Sequence, residues 1–354
     1  MANKSLEAHL YEELKRNNTK RALYIVELLG DDVDRFYGGK TLLVWAKKFA
    51  NKKVIEALEQ KGAKEIISEE EKLRLRKELS DVIRSGDVNK LDDLINEGVD
   101  VNVRDFYDSD TILITACKVG NLDIVKKLVE NGADINNTIL CNSGEVHSTP
   151  ATIATKYGHI EITEYLLNAG ADIKECGHIL LNEASRLGVL DLVKKMVDSG
   201  VDVNKKAMDE VNIVTASRKG YLDVVEYLIL NGANLNKKNA DGETALISAF
   251  RWKHFDILNM LIEKGADVNQ QDNRGETVLM MASQTGHLEM IGKLIENGAD
   301  VNIKSAFGGT AMSLAKDEET RRAILEAVKK KNEKAKENEP SFMDRVKGLF
   351  GKGE

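Results

Sequence analysis

A five-residue phrase, Gly-Ala/Val-Asp/Asn-aliphatic-Asn/Lys, returns along the chain and constrains its architecture more than any other feature. Clean copies begin at Gly98, Gly132, Gly170, Gly200, Gly232, Gly265 and Gly298, with weaker echoes at Gly30 and Gly62. Successive separations are 34, 38, 30, 32, 33 and 33 residues. A period of this size belongs to one supersecondary unit stacked on copies of itself. Such a stack has no upper limit on size, so 354 residues need not be buried in a single core.

One unit can be read in residues 269–298. The stretch Asn269 to Gly275 is rich in turn residues, and Gly275 supplies a position where positive φ costs little. Thr277 opens a short apolar helix, predicted over Val278 to Ser283 and stopped near Gly286. A second helix carries Leu288, Ile291, Leu294 and Ile295 at three-to-four spacing, so one of its faces is buried. Gly298 stands where a helix needs a left-handed C-terminal residue. The unit reads turn, helix, turn, helix.

These residues carry a family resemblance. The chain resembles the ankyrin-repeat family, whose pattern runs D-x-x-G-x-T-P-L-H-x-A-A-x-x-G-H and ends G-A-D-V-N. The match is visible at Asp272, Gly275 and Thr277 with Ala282, Gly286 and His287, again at Gly242 and Thr244 with Ala249, and at Thr41 with Ala46. Only Thr149-Pro150 keeps the family's proline, and Ile114, Ile247 and Met280 replace the histidine of the tetrapeptide. The resemblance covers about residues 4–330 and implies an all-α, ankyrin-like helix-turn-helix solenoid with β-turn fingers, expected to hold ten units. It also implies a non-enzymatic protein-interaction module that binds a partner on a concave face of fingers and inner helices. Residues 1–330 form the solenoid, with irregular capping units over 1–86, regular repeats over 87–302 and a C-terminal cap over 303–330.

The uneven spacing locates where the units vary. The helix-one alanine and the closing glycine are always sixteen apart, from Ala46–Gly62 through Ala116–Gly132 to Ala282–Gly298. Every insertion therefore falls in the finger before helix one, the longest being Asn136 to Thr149 and the shortest Lys174 to Ile179. A varied edge on an invariant stack suits a tailored recognition surface; free drift in surface turns would look the same.

The same spacing aligns equivalent positions. Two residues after the alanine position stand Arg16, Lys48, Arg84, Lys118, Lys156, Arg186, Arg218 and Arg251, before Gln284 breaks the run. The next column holds Phe49, Tyr157, Leu187 and Trp252 as apolar anchors. In the resembling family this position faces the concave groove. Cations on packed helices about 8–10 Å apart repel mildly while their fields add. Two readings stand: a groove for an acidic partner segment, or cations paired with finger carboxylates such as Asp105, Asp241 or Asp272. A nucleic-acid or other polyanion partner for this column is disfavoured by the net charge of −7 and by the absence of a binding motif.

Other features are less specific. Cys141, His147, Cys176 and His178 are zinc-ligand types, but their C-x5-H and C-x-H spacings match no structural zinc pattern. His159, His254 and His287 occupy the family's Gly-His position and are expected to cap helices. No nucleophile elbow, phosphate loop or zinc-protease helix is present, so neither a catalytic residue nor a cofactor or metal is expected. Three cysteines and the lack of a signal-like or membrane-spanning apolar run point to a cytoplasmic protein, expected to be monomeric. Residues 331–340 read as a charged linker, and 341–354 as a short amphipathic tail with Phe342, Val346, Leu349 and Phe350 on one face. That tail can dock on the last repeat, fill a partner's groove, or tether the chain weakly to an anionic membrane.

Overall fold

The computed structural model describes residues 5–140, 146–174, 176–207 and 209–337, with side chains omitted at 139–140, 146–148 and 335–337. The chain divides into two compact units, 1–176 and 177–354. The first holds helix pairs α1 (Leu6–Lys15) and α2 (Thr19–Leu28), α3 (Leu42–Lys48) and α4 (Lys52–Gln60), α5 (Glu69–Ser85) and α6 (Val88–Asn96), α7 (Ile112–Val119) and α8 (Leu122–Glu130), and α9 (Pro150–Lys156) and α10 (Ile160–Asn168). The second holds α11 (Gly177–Leu187) and α12 (Leu190–Asp198), α13 (Asn212–Lys219) and α14 (Leu222–Leu230), α15 (Ala245–Arg251) and α16 (Phe255–Glu263), α17 (Val278–Thr285) and α18 (Leu288–Glu296), and a terminal α19 (Glu318–Glu337). In the first unit α5, α7 and α9 pack in succession, and so do α6, α8 and α10. In the second, α11, α13, α15 and α17 form one layer and α12, α14 and α16 another. This is an all-α repeat stack, as the periodicity implies.

The helix-one alanines explain why the layers can close. Ala46, Ala116, Ala154, Ala184, Ala216, Ala249 and Ala282 have no exposed surface at all. A methyl there lets neighbouring helices approach without a void or a clash. Where the resembling pattern has a histidine, Ile114, Ile247 and Met280 are buried instead, adding apolar contact to the same interface. Threonines start these helices: Thr111, Thr149, Thr244 and Thr277 accept the N–H groups of Ile114, Thr152, Ile247 and Met280. Pro150 follows its cap at the first helical position, where a missing N–H costs nothing.

Each residue of the recurring phrase has a separate physical task. Its glycine is left-handed, with φ of 81° at Gly98 and 96° at Gly298. The glycine N–H and the next residue's N–H satisfy the outer helix's last carbonyls, as in Gly132 to Val129 at 3.0 Å and Ala133 to Leu128 at 2.9 Å. That is a Schellman closure, and it fixes a small apolar residue at the second place. The aspartate accepts the N–H two residues on, as Asp267 does from Asn269 at 2.9 Å. The asparagine crosses to the following copy of the phrase. Asn102 donates to the Gly132 carbonyl at 2.9 Å and accepts from the Asp134 N–H at 2.8 Å. Asn204 repeats this with Gly232 and Asn234, and Asn269 with Gly298 and Asp300. Each such bond contributes about 1 kcal/mol, so this ladder joins units whose pattern lacks the tetrapeptide histidine.

The Gly-His histidines do not cap, contrary to expectation. His159, His254 and His287 stand at the N-cap positions of α10, α16 and α18 with no capping bond from the side chain. Two of the rings instead reach back to the preceding repeat. His159 Nε2 lies 3.2 Å from the Lys118 carbonyl oxygen. A Cβ added to Gly120 would meet its ring at 2.2 Å, and one added to Gly220 would meet His254 at 2.4 Å. The left-handed glycine that ends one inner helix is thus the seat for the next repeat's ring.

Several irregular segments take forms that periodicity alone does not show. The charged run at 69–85 is the long helix α5, capped by Ser68, with Glu69, Glu70 and Glu71 in its first turn where the helix dipole favours them. Phe36–Tyr37 (β1) pairs with Lys40–Thr41 (β2), and Ile139–Leu140 (β3) pairs with Val146–Ser148 (β4), so two fingers are small hairpins. At the C-terminal cap, α19 continues past Val328 as far as Glu337. No described helix is long and apolar enough to cross a membrane.

Candidate protein-interaction face

The cationic positions lie where the spacing places them, at the ends of the inner helices, with one exception. In α1 the positive-φ residue is Asn17, thirteen before Gly30, whereas Ala50 precedes Gly62 and Gly120 precedes Gly132 by twelve. α2 is ten residues long and α4 nine. Lys15 therefore occupies the place equivalent to Lys48, and Arg16 is the C-cap, 3.5 Å from Glu13.

These cations have intramolecular partners. In the first unit Lys48 lies 3.6 Å from Glu97, and Arg84 lies 2.8 Å from Asp105 and 3.3 Å from Asp108. Lys118 pairs with Asp110. Lys156 ends α9 in the same register. In the second unit Arg186 lies 2.6 Å from Glu183, and Arg218 lies 2.8 Å from Glu210. Arg251 bridges Glu243 at 2.5 Å and Asp272, whose side chains are only 7% and 2% exposed. Gln284, which interrupts the column, donates to Glu276 at 3.0 Å.

A rule emerges from these pairs. Asp110, Glu210, Glu243 and Glu276 each stand eight residues before the column residue they bind, at the base of the same repeat's finger. Asp105 and Asp272 each stand twenty-one residues after it, in the next finger. At these positions the column ties fingers to inner helices, whereas Lys48 pairs with Glu97 at the C-cap of α6 and Arg186 with Glu183 within α11. Asp105 shows the electrostatic consequence. Burial pushes its carboxyl up, but the Tyr107 N–H and the Arg84 guanidinium outweigh this and hold it below the usual range. Asp241, the third carboxylate considered from sequence, has its carbonyl facing the Asn273 N–H at 3.4 Å.

The apolar column is divided. Phe49 is half-buried against Tyr11 and Trp45, with ring centroids 5.7 and 6.3 Å away. Leu187 is also half-buried. Tyr157 and Trp252 are open, at 53% and 58% exposure. Sequence reasoning passed over three further aromatics, all on fingers. Phe106 and Tyr107 pack edge to face at 5.1 Å, beneath Lys77 and Arg84, and Phe307 is 90% exposed. Their signal was an aromatic residue at a finger tip, where the pattern favours small polar turn residues. Exposed aromatics on rigid supports contribute large contact area at little ordering cost.

Among the described residues no cluster of histidine, cysteine and carboxylate side chains could hold a metal. Cys176 is buried and donates to the Asp172 carbonyl at 3.2 Å. Cys141 and the His147 side chain lie outside the described residues, as do Phe342, Val346, Leu349 and Phe350 of the tail.

Comparison with known proteins agrees with this architecture. A family model described as ankyrin repeats, in three copies, matches residues 79–175, 137–207, 181–272 and 213–305. The chain is 25% identical over 130 residues to palmitoyltransferase AKR1 of Lachancea kluyveri, covering 34% of this chain and 17% of that protein. It is 30% identical over 111 residues to the ankyrin repeat and KH domain-containing protein mask-1 of Caenorhabditis elegans, covering 30% and 4%. A third relative, the ankyrin repeat and KH domain-containing protein CBG24701 of Caenorhabditis briggsae, is 30% identical over 128 residues, covering 36% and 5%. The chain spans less than a fifth of the length of these curated relatives.

Proposed function

We propose, from the premise that this chain belongs to the ankyrin-repeat family, that it holds a protein partner against its fingers and the ends of its inner helices. Ankyrin repeats generally bind other proteins and are typically non-enzymatic. The match to a palmitoyltransferase covers too little of that protein to carry its activity over. The observation that carries our reading is the division of labour at the inner-helix ends. Lys118, Arg218 and Arg251 there are engaged with finger carboxylates, while Tyr157 and Trp252, in the next column, stand open to solvent.

This arrangement supports a contact led by aromatic anchors, with the cations setting finger positions. It gives less support to a polyanion held by the whole column, because each such contact would first break an intramolecular pair. The reading predicts that Tyr157→Ala with Trp252→Ala strips partners from the chain in an affinity capture. Truncating an interface tryptophan commonly costs about 2 kcal/mol or more, enough to empty the capture at limiting concentration. Leu230→Ala, at a 71% exposed position on α14, should leave the captured set intact. An unchanged set with the double variant would overturn the proposal.

A further inference from the structure

In the second unit one residue breaks the seat described above. Four residues after the helix-one alanine, the second unit has Gly188, Gly220 and Gly286, all left-handed, but Lys253 at the same place. Lys253 keeps the left-handed backbone, with φ of 62°, a conformation that side-chain-bearing residues seldom adopt and that clusters at functional sites. The consequence falls on the next repeat. At Gly220 the ring of His254 lies over the glycine, within 2.4 Å of where a Cβ would be. Lys253 has that Cβ, so His287 cannot take the equivalent seat. Its ring packs instead on Phe255, with centroids 4.6 Å apart and planes at 64°.

A cleft of about 340 Å³ is lined by both Lys253 and the displaced His287, in the size range of ligand-binding pockets. Its lining includes the apolar Phe250, Phe255 and Met281, the cations Lys253 and Arg274, and one carboxylate, Glu276, which accepts from Gln284. Both cations are exposed, and neither has an ion-pair partner among the described residues. They contrast with Arg251 in the same lining, which is committed to Glu243 and Asp272. Trp252 stands exposed at the adjoining position.

We propose that this cleft between α15–α16 and α17–α18 is a docking site for a peptide segment that presents one aromatic or large aliphatic side chain flanked by carboxylates. The apolar lining takes the side chain, and Lys253 and Arg274 pair with the acids. The proposal rests on the reading of the chain as a protein-binding module and adds the site and the partner's chemistry.

The test is selection of a random peptide library displayed on phage against the full chain, followed by affinity measurement of the enriched peptides. The expected peptides combine an aromatic or aliphatic residue with acidic neighbours. Lys253→Gly, which restores the seat and lets His287 close the cleft, should weaken them by roughly tenfold or more, with no loss of melting temperature. Arg274→Glu should weaken them comparably while leaving the lining intact. Enriched peptides that bind both variants as well as the parent would overturn the cleft and leave the general reading standing. Enriched peptides lacking acidic residues would overturn the partner chemistry. A library that yields no binder would count against both.

Discussion

Gly275→Ala is expected to destabilise the protein by about 2–4 kcal/mol. Gly275 has φ of 72°, and a Cβ there would sit 2.6 Å from the backbone nitrogen of Ala306 and 3.1 Å from the Ser305 carbonyl carbon. Backbone cannot swing aside as a side-chain end can. The Ala306 N–H also donates to the Arg274 carbonyl at 2.9 Å, so the intrusion breaks the bond that holds one finger to the next. Gly298→Ala is the control. Its φ is 96°, but nothing lies within 4 Å of the added carbon. It should lose only the backbone preference, about 1 kcal/mol. Urea denaturation of the two variants separates close approach from conformational strain, and equal losses would show that finger contact contributes nothing.

Arg251→Ala is expected to cost about 3 kcal/mol. It leaves Glu243 and Asp272, both nearly sealed from solvent, without their cation. Some of the carboxylate bonding survives, because Ser248 still donates to Glu243 at 2.6 Å and the Arg274 and Glu276 N–H groups still reach Asp272. Gln284→Ala, at the equivalent position one repeat on, removes an exposed hydrogen bond from a neutral amide to Glu276 and leaves that carboxylate in water, so it should cost well under 1 kcal/mol. A loss at Arg251 no greater than at Gln284 would mean that the column is not structural. The same energetics govern how the column can be probed for binding. Reversing Arg186, Arg218 and Arg251 to Glu together would set new carboxylates against Glu183, Glu210 and Glu243, and would unfold repeats before it tested any partner.

Much of this was legible in the sequence because repeat folding is governed by local rules. The 3.6-residue spacing in helices such as α18 follows from its own residues, and the Gly-Ala-Asp phrase encodes its own turn through φ and short-range hydrogen bonds. The asparagine ladder was visible as a repeated fifth residue, although its partner lies in the next copy. The column was visible as well, but its meaning was not. A cation can seek a foreign acid or a neighbouring one, and only the finger geometry placed Glu243 and Asp272 within reach of Arg251. The acidic residue just before the helix-one threonine, eight before the cation, was the signal to follow. Least legible was the cleft. Lys253 in place of glycine is plain in the sequence, but the space it opens depends on His287 from the following repeat and on Phe255 being there to receive the ring.

The central claim is that partners engage fingers and inner-helix ends, while the outer helices serve as support. Hydrogen–deuterium exchange of the full chain, free and saturated with a captured partner, tests it most directly. New protection is predicted in the turn segments at 252–254 and 271–276 and at the C-terminal ends of α15 and α17, with α14, α18 and the body of α16 unchanged. Protection confined to those outer helices would contradict the account.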